Sequence, residues 1–250
     1  ATVRGRIAAA VPWMGWIVLL ILLAIPVLNG GRYIVYLGTL IALQAALATS
    51  LNIVMGYAGQ FAMSHAAFYG FGAYASALLI TSLGLNFWLA VPLAMLGAGV
   101  LAALIGYPAL RYTGGVHLAL ITFAFGELAR LVAANWHGLT GGPMGMRIMY
   151  SPGSFFGYDL SSARGLYWLA AGMLLICLLV TLAIQHSRFG RGLIAVREDE
   201  TLASFLGVNV VGYKVAAYVI SSMLAAMVGC AAIAGSSAGT ATRRTASCRA

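Results

Sequence analysis

Charge is what this chain has least of. Five acidic and fourteen basic residues make up 8% of its 250 positions, where a soluble domain carries roughly 25%. So few charges cannot coat a water-facing surface of this size, and lipid must be much of the solvent. Lysine occurs once, at Lys214, between Tyr213 and Val215. A Walker A loop needs a lysine after a glycine-rich run, so the chain hydrolyses no ATP on its own. The three cysteines, Cys177, Cys230 and Cys248, show neither metal nor disulfide spacing, and two lie in apolar runs where cysteine acts as a small hydrophobe. Four isolated histidines make no H-E-x-x-H, and Ser64 and His65, being adjacent, would diverge by about 100° around a helix, which excludes a hydrolytic triad. The chain is therefore expected to be no enzyme, with no catalytic residue, no metal site and no cofactor of its own. The net charge of +9 comes largely from arginines scattered singly between apolar runs. That pattern lacks the basic patch of a nucleic-acid binder and fits residues that set membrane topology.

What the chain has instead is apolar length, with 62% of its residues hydrophobic. Runs at 13–29, 33–55, 61–83, 87–107, 116–135, 165–185 and 213–235 each hold about 17–23 residues, enough to cross a hydrocarbon core as a helix. They are too long and continuous for barrel strands, which alternate polar and apolar residues. The expected fold is all-α, a polytopic transmembrane helix bundle of about seven spans. The first run follows Arg4 and Arg6 but lacks the A-x-A ending of a cleaved signal, so it reads as a retained helix. With the N-terminus inside, inner segments hold Arg4, Arg6, Arg111, Arg188, Arg191 and Arg197, with Lys214 at the edge. Outer segments hold Arg32, Arg147 and Arg164. The excess predicts a cytoplasmic N-terminus. One transmembrane domain covers 1–235, with an inner loop at 186–212. Residues 236–250, poor in bulky apolar side chains and carrying Arg243, Arg244 and Arg249, read as an atypical, disordered tail.

Four stretches stand out. At 198–207, the acids Glu198, Asp199 and Glu200 sit where a helix N-terminus favours negative charge. Leu202, Phe205 and Leu206 then form an apolar face, and Gly207 is placed to end the helix in a left-handed cap. Such a face lies either on the membrane surface or in a groove on a cytoplasmic partner. At 51–74, Gly56, Gly59 and Gln60 break a helix near the inner interface, and Asn52, Gln60, Ser64 and His65 need partners, water or substrate. They serve either helix-helix hydrogen bonding or the lining of a pathway. Ala62, Ala66, Gly70, Ala73 and Ala77 add a small-residue stripe for close helix packing. Within the span 116–135, Glu127 and Arg130 are three apart and can pair. An intramembrane charge pair is either self-neutralising and faces the bundle, or takes part in gating or passage. Just beyond, Gly141 and Gly142 in the longest outer loop suit a tight turn or an anion-facing nest of N–H groups.

Three of these segments resemble, in order, the LivM-type permeases: Gly-Tyr-Ala-Gly-Gln at 56–60, Phe-Gly-Glu-Leu-Ala-Arg at 125–130 leading into Leu-Thr-Gly-Gly-Pro-Met-Gly at 139–145, and Arg-Glu-Asp-Glu at 197–200 with Leu-Gly-Val-Asn-Val at 206–210 and Tyr-Lys at 213–214. The resemblance covers about residues 30–235. It implies a permease subunit of a branched-chain amino acid ABC importer in the plasma (inner) membrane. Its implied partners are a sister permease, two cytoplasmic ATP-binding subunits that use the ATP, and an extracytoplasmic substrate-binding protein. By the same resemblance, 186–212 is a coupling loop whose segment 198–207 docks on an ATPase subunit. Asn52, Gln60, Ser64, His65, Glu127 and Arg130 become candidates for the translocation path. The family's helices continue past the point where 236–250 departs from them, so the C-terminus reads as truncated or atypical. Urea and short amides are alternative cargoes. An ATPase-independent secondary transporter is a different alternative, against which one intramembrane Glu and the lack of an evident repeat weigh.

Overall fold

The computed structural model describes residues 32–113, 116–142, 154–155, 158–159 and 163–247, with the backbone alone over 234–247. The expected span at 13–29 lies outside the described residues, as does most of the loop expected on the outer side. Helix α1, Arg32–Asn52, runs into a π-helical turn at Ile53–Tyr57. Then come α2, His65–Leu83; α3, Phe87–Tyr112; α4, Val116–Asn135; and a single turn, α5, His137–Thr140. Two-residue strands β1, Ser154–Phe155, and β2, Tyr158–Asp159, pair antiparallel in the loop that follows. The chain returns through α6, Ala163–His186, two short helices α7, Arg188–Glu198, and α8, Glu200–Phe205, and finally α9, Val210–Ser247. Six of these helices, α1, α2, α3, α4, α6 and α9, are long and apolar enough to span a membrane. The described fold is an all-α transmembrane bundle.

Helix α9 is its axis. It packs against α3, α2, α1 and α6, and 67% of its span is buried, against 11% of the α4 span. Without a hydrophobic drive between helices in lipid, association rests on close packing, which small residues permit. A Cβ on Gly72 of α2 would lie 2.2 Å from the Ala226 carbonyl oxygen, and one on Gly229 would lie 2.1 Å from that of Tyr69. The backbones of α2 and α9 thus touch at both glycines. Along α3, which packs against both α9 and α2, Ala90, Ala94, Ala98 and Ala102 are fully buried, while Leu89, Leu93, Leu96, Val100 and Leu104 form an exposed stripe down its other face. Only lipid or another apolar partner can cover such a stripe.

Two expectations need correction. The small-residue stripe makes only part of the contact seam: Ala77 is fully buried and the Ala73 backbone lies against Gly229 of α9, but Ala66 is exposed and nothing lies within 4 Å of a Cβ on Gly70, while Phe68, Gly72, Ser76 and Ile80 are buried as well. The helix starts at His65, so Ala62 belongs to the break before it, and the close approach to Ala226 chooses the face. The tail expected at 236–250 is helical in its described part, since α9 continues to Ser247. Only Gly239 in that stretch opposes a helix already nucleated upstream; residues 248–250 lie outside the described residues.

Candidate functional site

Helix α1 does not end cleanly. Ala58 N–H donates to Ile53 O at 3.3 Å, the five-residue spacing of a π turn, and Gln60 N–H reaches back six residues to Val54 O at 3.1 Å. Such turns are rare and recur at functional positions. Gly59 then takes φ +66°, which favours glycine, and the chain runs without helix to Ser64. His65, the first residue of α2, places its Nε2 2.8 Å from Ser50 Oγ. Ser50 lies seven residues before the end of the α1 span, about 10 Å into the bundle at the helical rise. The segment 58–64 therefore re-enters the membrane. Irregular backbone at that depth is tolerated only where protein buries it or a cavity runs beside it.

Polar side chains hold the far end of this break. Ser221 of α9 donates to the Ser50 carbonyl at 2.8 Å and stands 3.5 Å from His65 Nδ1. Ser64 Oγ and Tyr218 Oη are hydrogen-bonded at 2.5 Å. Met63 N–H donates to Thr122 Oγ1 of α4 at 3.1 Å. Ser64 and Gln60 are buried, yet neither Nε2 nor Oε1 of Gln60 has a hydrogen-bond partner among the described residues. Leaving an amide so placed costs about 1–3 kcal/mol, which makes it a group waiting for a partner. Of the candidates in this stretch, Ser64 and His65 are thus both held against α9, and Gln60 is buried in the same break. Asn52 does not join them: it is exposed, with its side chain laid over Gly56.

Glu127 and Arg130 form an ion pair along α4, but on its open face, with side-chain exposures of 44% and 65%. Among the described residues α4 packs chiefly against α2 and α3, which leaves Glu127 half-exposed and Arg130 exposed. Gly141 and Gly142 both take positive φ, 75° and 64°, after the α5 turn; Thr140 Oγ1 closes that turn by donating to Ala133 O and Trp136 O. Residues 143–153 lie outside the described residues.

At the end of the bundle where the break begins, the loop expected to carry one helix over 198–207 holds two. Ser187 caps α7 by accepting from Gly190 N–H at 3.1 Å. Asp199 caps α8, its Oδ1 accepting from Thr201 N–H at 2.8 Å and Leu202 N–H at 3.0 Å. Those bonds, Leu202 first, hold the Asp199 carboxyl below the ordinary carboxylate range. Gly207 at φ +80° closes the other end: its N–H reaches Ser204 O and Val208 N–H reaches Ala203 O, a Schellman motif. Glu198 ends α7 and only Glu200 of the acids lies in α8. Leu202, Phe205 and Leu206 are exposed, Phe205 at 83%. The tip is anchored, not loose. Glu200 pairs with the nearly buried Lys214 of α9, Phe189 stacks on Tyr213 at 5.2 Å, and Arg197 Nη1 donates to the Gly56 carbonyl at the break.

Tyr218, Ser221, Thr122 and Arg197 were not singled out from the sequence. The first two sit in an apolar run with no local signal, and their partners are more than 150 residues away.

A multi-pass bundle with a break among polar side chains, and a capped apolar tip fastened at one end, is the architecture of a polytopic membrane protein. The chain belongs to the family of branched-chain amino acid transport system permease components, whose family model matches residues 33–246. It is 33% identical to the high-affinity branched-chain amino acid transport system permease protein LivM of Escherichia coli K12, over 79% of this chain and 52% of that protein. It is 32% identical to LivM of Salmonella typhimurium, over 77% and 50%. The permease protein LivH of the same E. coli system is 26% identical, over 76% of this chain and 66% of LivH. The chain spans about half the length of the LivM relatives it matches. No solved structure matches it.

Proposed function

We propose that this chain works as one membrane subunit of an ATP-driven importer of branched-chain amino acids, pairing with a second permease and moved by separate cytoplasmic ATPase subunits. The observation that carries this reading is the α8 tip. A helix of six residues cannot hold itself together in water; this one is capped at both ends and pinned by Lys214, while its apolar residues are exposed. That is the construction of a rigid knob made to enter a groove on another protein. Similarity to both LivM and LivH, two permease proteins of one system by name, supports pairing with a second subunit of the same fold. An extracytoplasmic binding protein would deliver the cargo.

Orientation follows from charge. Consecutive spans alternate, so Arg111, Arg188, Arg191, Arg197 and Lys214 lie at one end of the bundle, and Arg32 and Arg164, with Arg243 and Arg244 on the extension of α9, at the other. The richer end carries α8 and belongs in the cytoplasm of a plasma (inner) membrane protein. The chain has no Walker A sequence of its own, so ATP belongs to the partners.

Co-expression with the candidate ATPases tests the reading. Phe205→Asp with Leu206→Asp should abolish ATPase co-purification while leaving the permease folded. Retained ATPase binding, or substrate uptake by this chain alone in liposomes, overturns it.

A further inference from the structure

The two halves of the candidate site, the re-entrant break and the loop knob, are joined by one side chain. Arg197, in the last turn of α7, donates from Nη1 to the carbonyl oxygen of Gly56. That carbonyl is at the end of a π-turned helix, where carbonyl groups lose their intrahelical donors and need one from outside. The arginine stem fits beside Gly59: a Cβ at that position, already strained at φ +66°, would lie 2.8 Å from Arg197 Cγ. The contact thus requires glycine at 59 for two independent reasons. Three residues after Arg197, Glu200 grips Lys214 of α9, and Tyr218 and Ser221 of α9 hold Ser64 and His65. The segment 197–200 is therefore fastened to both ends of the 58–64 break: directly at Gly56 and Gly59, and through α9 at Ser64 and His65. Between those ends sits Gln60, buried and with an unpartnered amide.

We propose that Arg197 is the positioning residue of transport, transmitting displacement of the α8 knob to the re-entrant segment and so setting whether Gln60 faces the pathway. This rests on the reading that α8 docks an ATPase. The guanidinium suits the role because it stays charged, offers several donors in a fixed plane and buries its stem while its head reaches a carbonyl. A lysine offers a point donor on a looser stem.

The test uses the assembled importer, with the second permease, ATPases and binding protein, in liposomes loaded with ATP. Leucine uptake and phosphate release are measured together, with ATPase co-purification as a separate readout. Arg197→Ala should keep the ATPases bound and hydrolysing while uptake per ATP falls about tenfold, the scale of a typical coupling between sites. Arg197→Lys should restore part of that ratio. Gly59→Ala, which attacks the same contact from the membrane side, should mimic Arg197→Ala without touching the loop. An unchanged uptake-to-hydrolysis ratio in both Arg197→Ala and Gly59→Ala overturns the proposal and leaves the docking reading standing. So does parallel loss of uptake, hydrolysis and ATPase binding, which would make Arg197 a docking or folding residue. Failure of the wild-type chain to bind any ATPase overturns both readings.

Discussion

Gln60 has a burial that no described contact justifies. Its side chain is 6% exposed and unpaired, inside a segment whose other polar groups, Ser50, Ser64 and His65, all find partners. If it served packing alone, an apolar residue of similar size would serve better, because removing an unpartnered amide removes its desolvation cost of about 1–3 kcal/mol. Gln60→Leu is therefore expected to keep or raise the thermal midpoint of the purified complex and at the same time to depress uptake. A variant that melts earlier and transports normally would place the amide in a structural bond. This residue was legible in the sequence as a polar group at a helix break, since Gly56, Gly59 and Gln60 announce the break locally. Its partnered neighbours were not: Tyr218 and Ser221 look like any hydroxyls in an apolar run until α9 is packed against α1 and α2, and no periodicity encodes that docking. Arg197 read as a topology charge, because nothing within the loop points to a carbonyl 141 residues earlier.

At the scale of elements, two joints can be broken selectively. The α2–α9 crossing depends on Gly72 and Gly229, where added carbon atoms would meet backbone oxygen rather than a side chain that can turn aside. Gly72→Val should destabilise by about 1–3 kcal/mol and shift the melting midpoint down, whereas the same change at Gly70, with open space around it, should cost little; equal effects at both would contradict the crossing. The second joint is the α8 cap. Asp199 has its pKa lowered by the Leu202 and Thr201 N–H groups, so its contribution is present above the ordinary carboxylate value of about 3.9 and is lost as pH falls through the depressed folded value. Protection of the Thr201 and Leu202 amides, relative to free amides at the same pH, should therefore hold at neutral pH and fall only in strong acid. Asp199→Asn keeps an acceptor without the titration and should flatten that profile. The helix end at Gly207 was readable from one glycine. The division of 188–207 into α7 and α8 was not, because the three acids obscure which one caps: Asp199 alone has the extended backbone of a cap.

For the molecule as a whole, α4 is the informative helix. Its length and composition marked it as a span, and the i, i+3 spacing of Glu127 and Arg130 marked an ion pair, but the direction the pair faces depends on which neighbours α4 has. Those neighbours leave Leu120, Phe123, Leu128 and Leu131 exposed beside a charged pair in which Glu127 lies roughly 12 Å, and Arg130 roughly 8 Å, from the Asn135 end of the span at the helical rise. An ion pair left against acyl chains is expensive even when self-neutralised; covered by a second protein it becomes a polar anchor within an apolar interface. Under the proposed pairing, the second permease is the occupant that would cover this face, since a heteromer of like subunits needs one membrane-embedded face and α4 is the least packed of the described spans. Both free cysteines of the described residues, Cys177 and Cys230, are buried, so a cysteine placed on this face will dominate the chemistry. Leu128→Cys should form an oxidative cross-link to a cysteine scanned along the outer helices of the second permease in native membranes. Leu104→Cys, on the exposed α3 stripe, should remain lipid-facing and uncrosslinked. Cross-links at Leu104 and none at Leu128 would move the interface to α3 and return Glu127 and Arg130 to the lipid boundary.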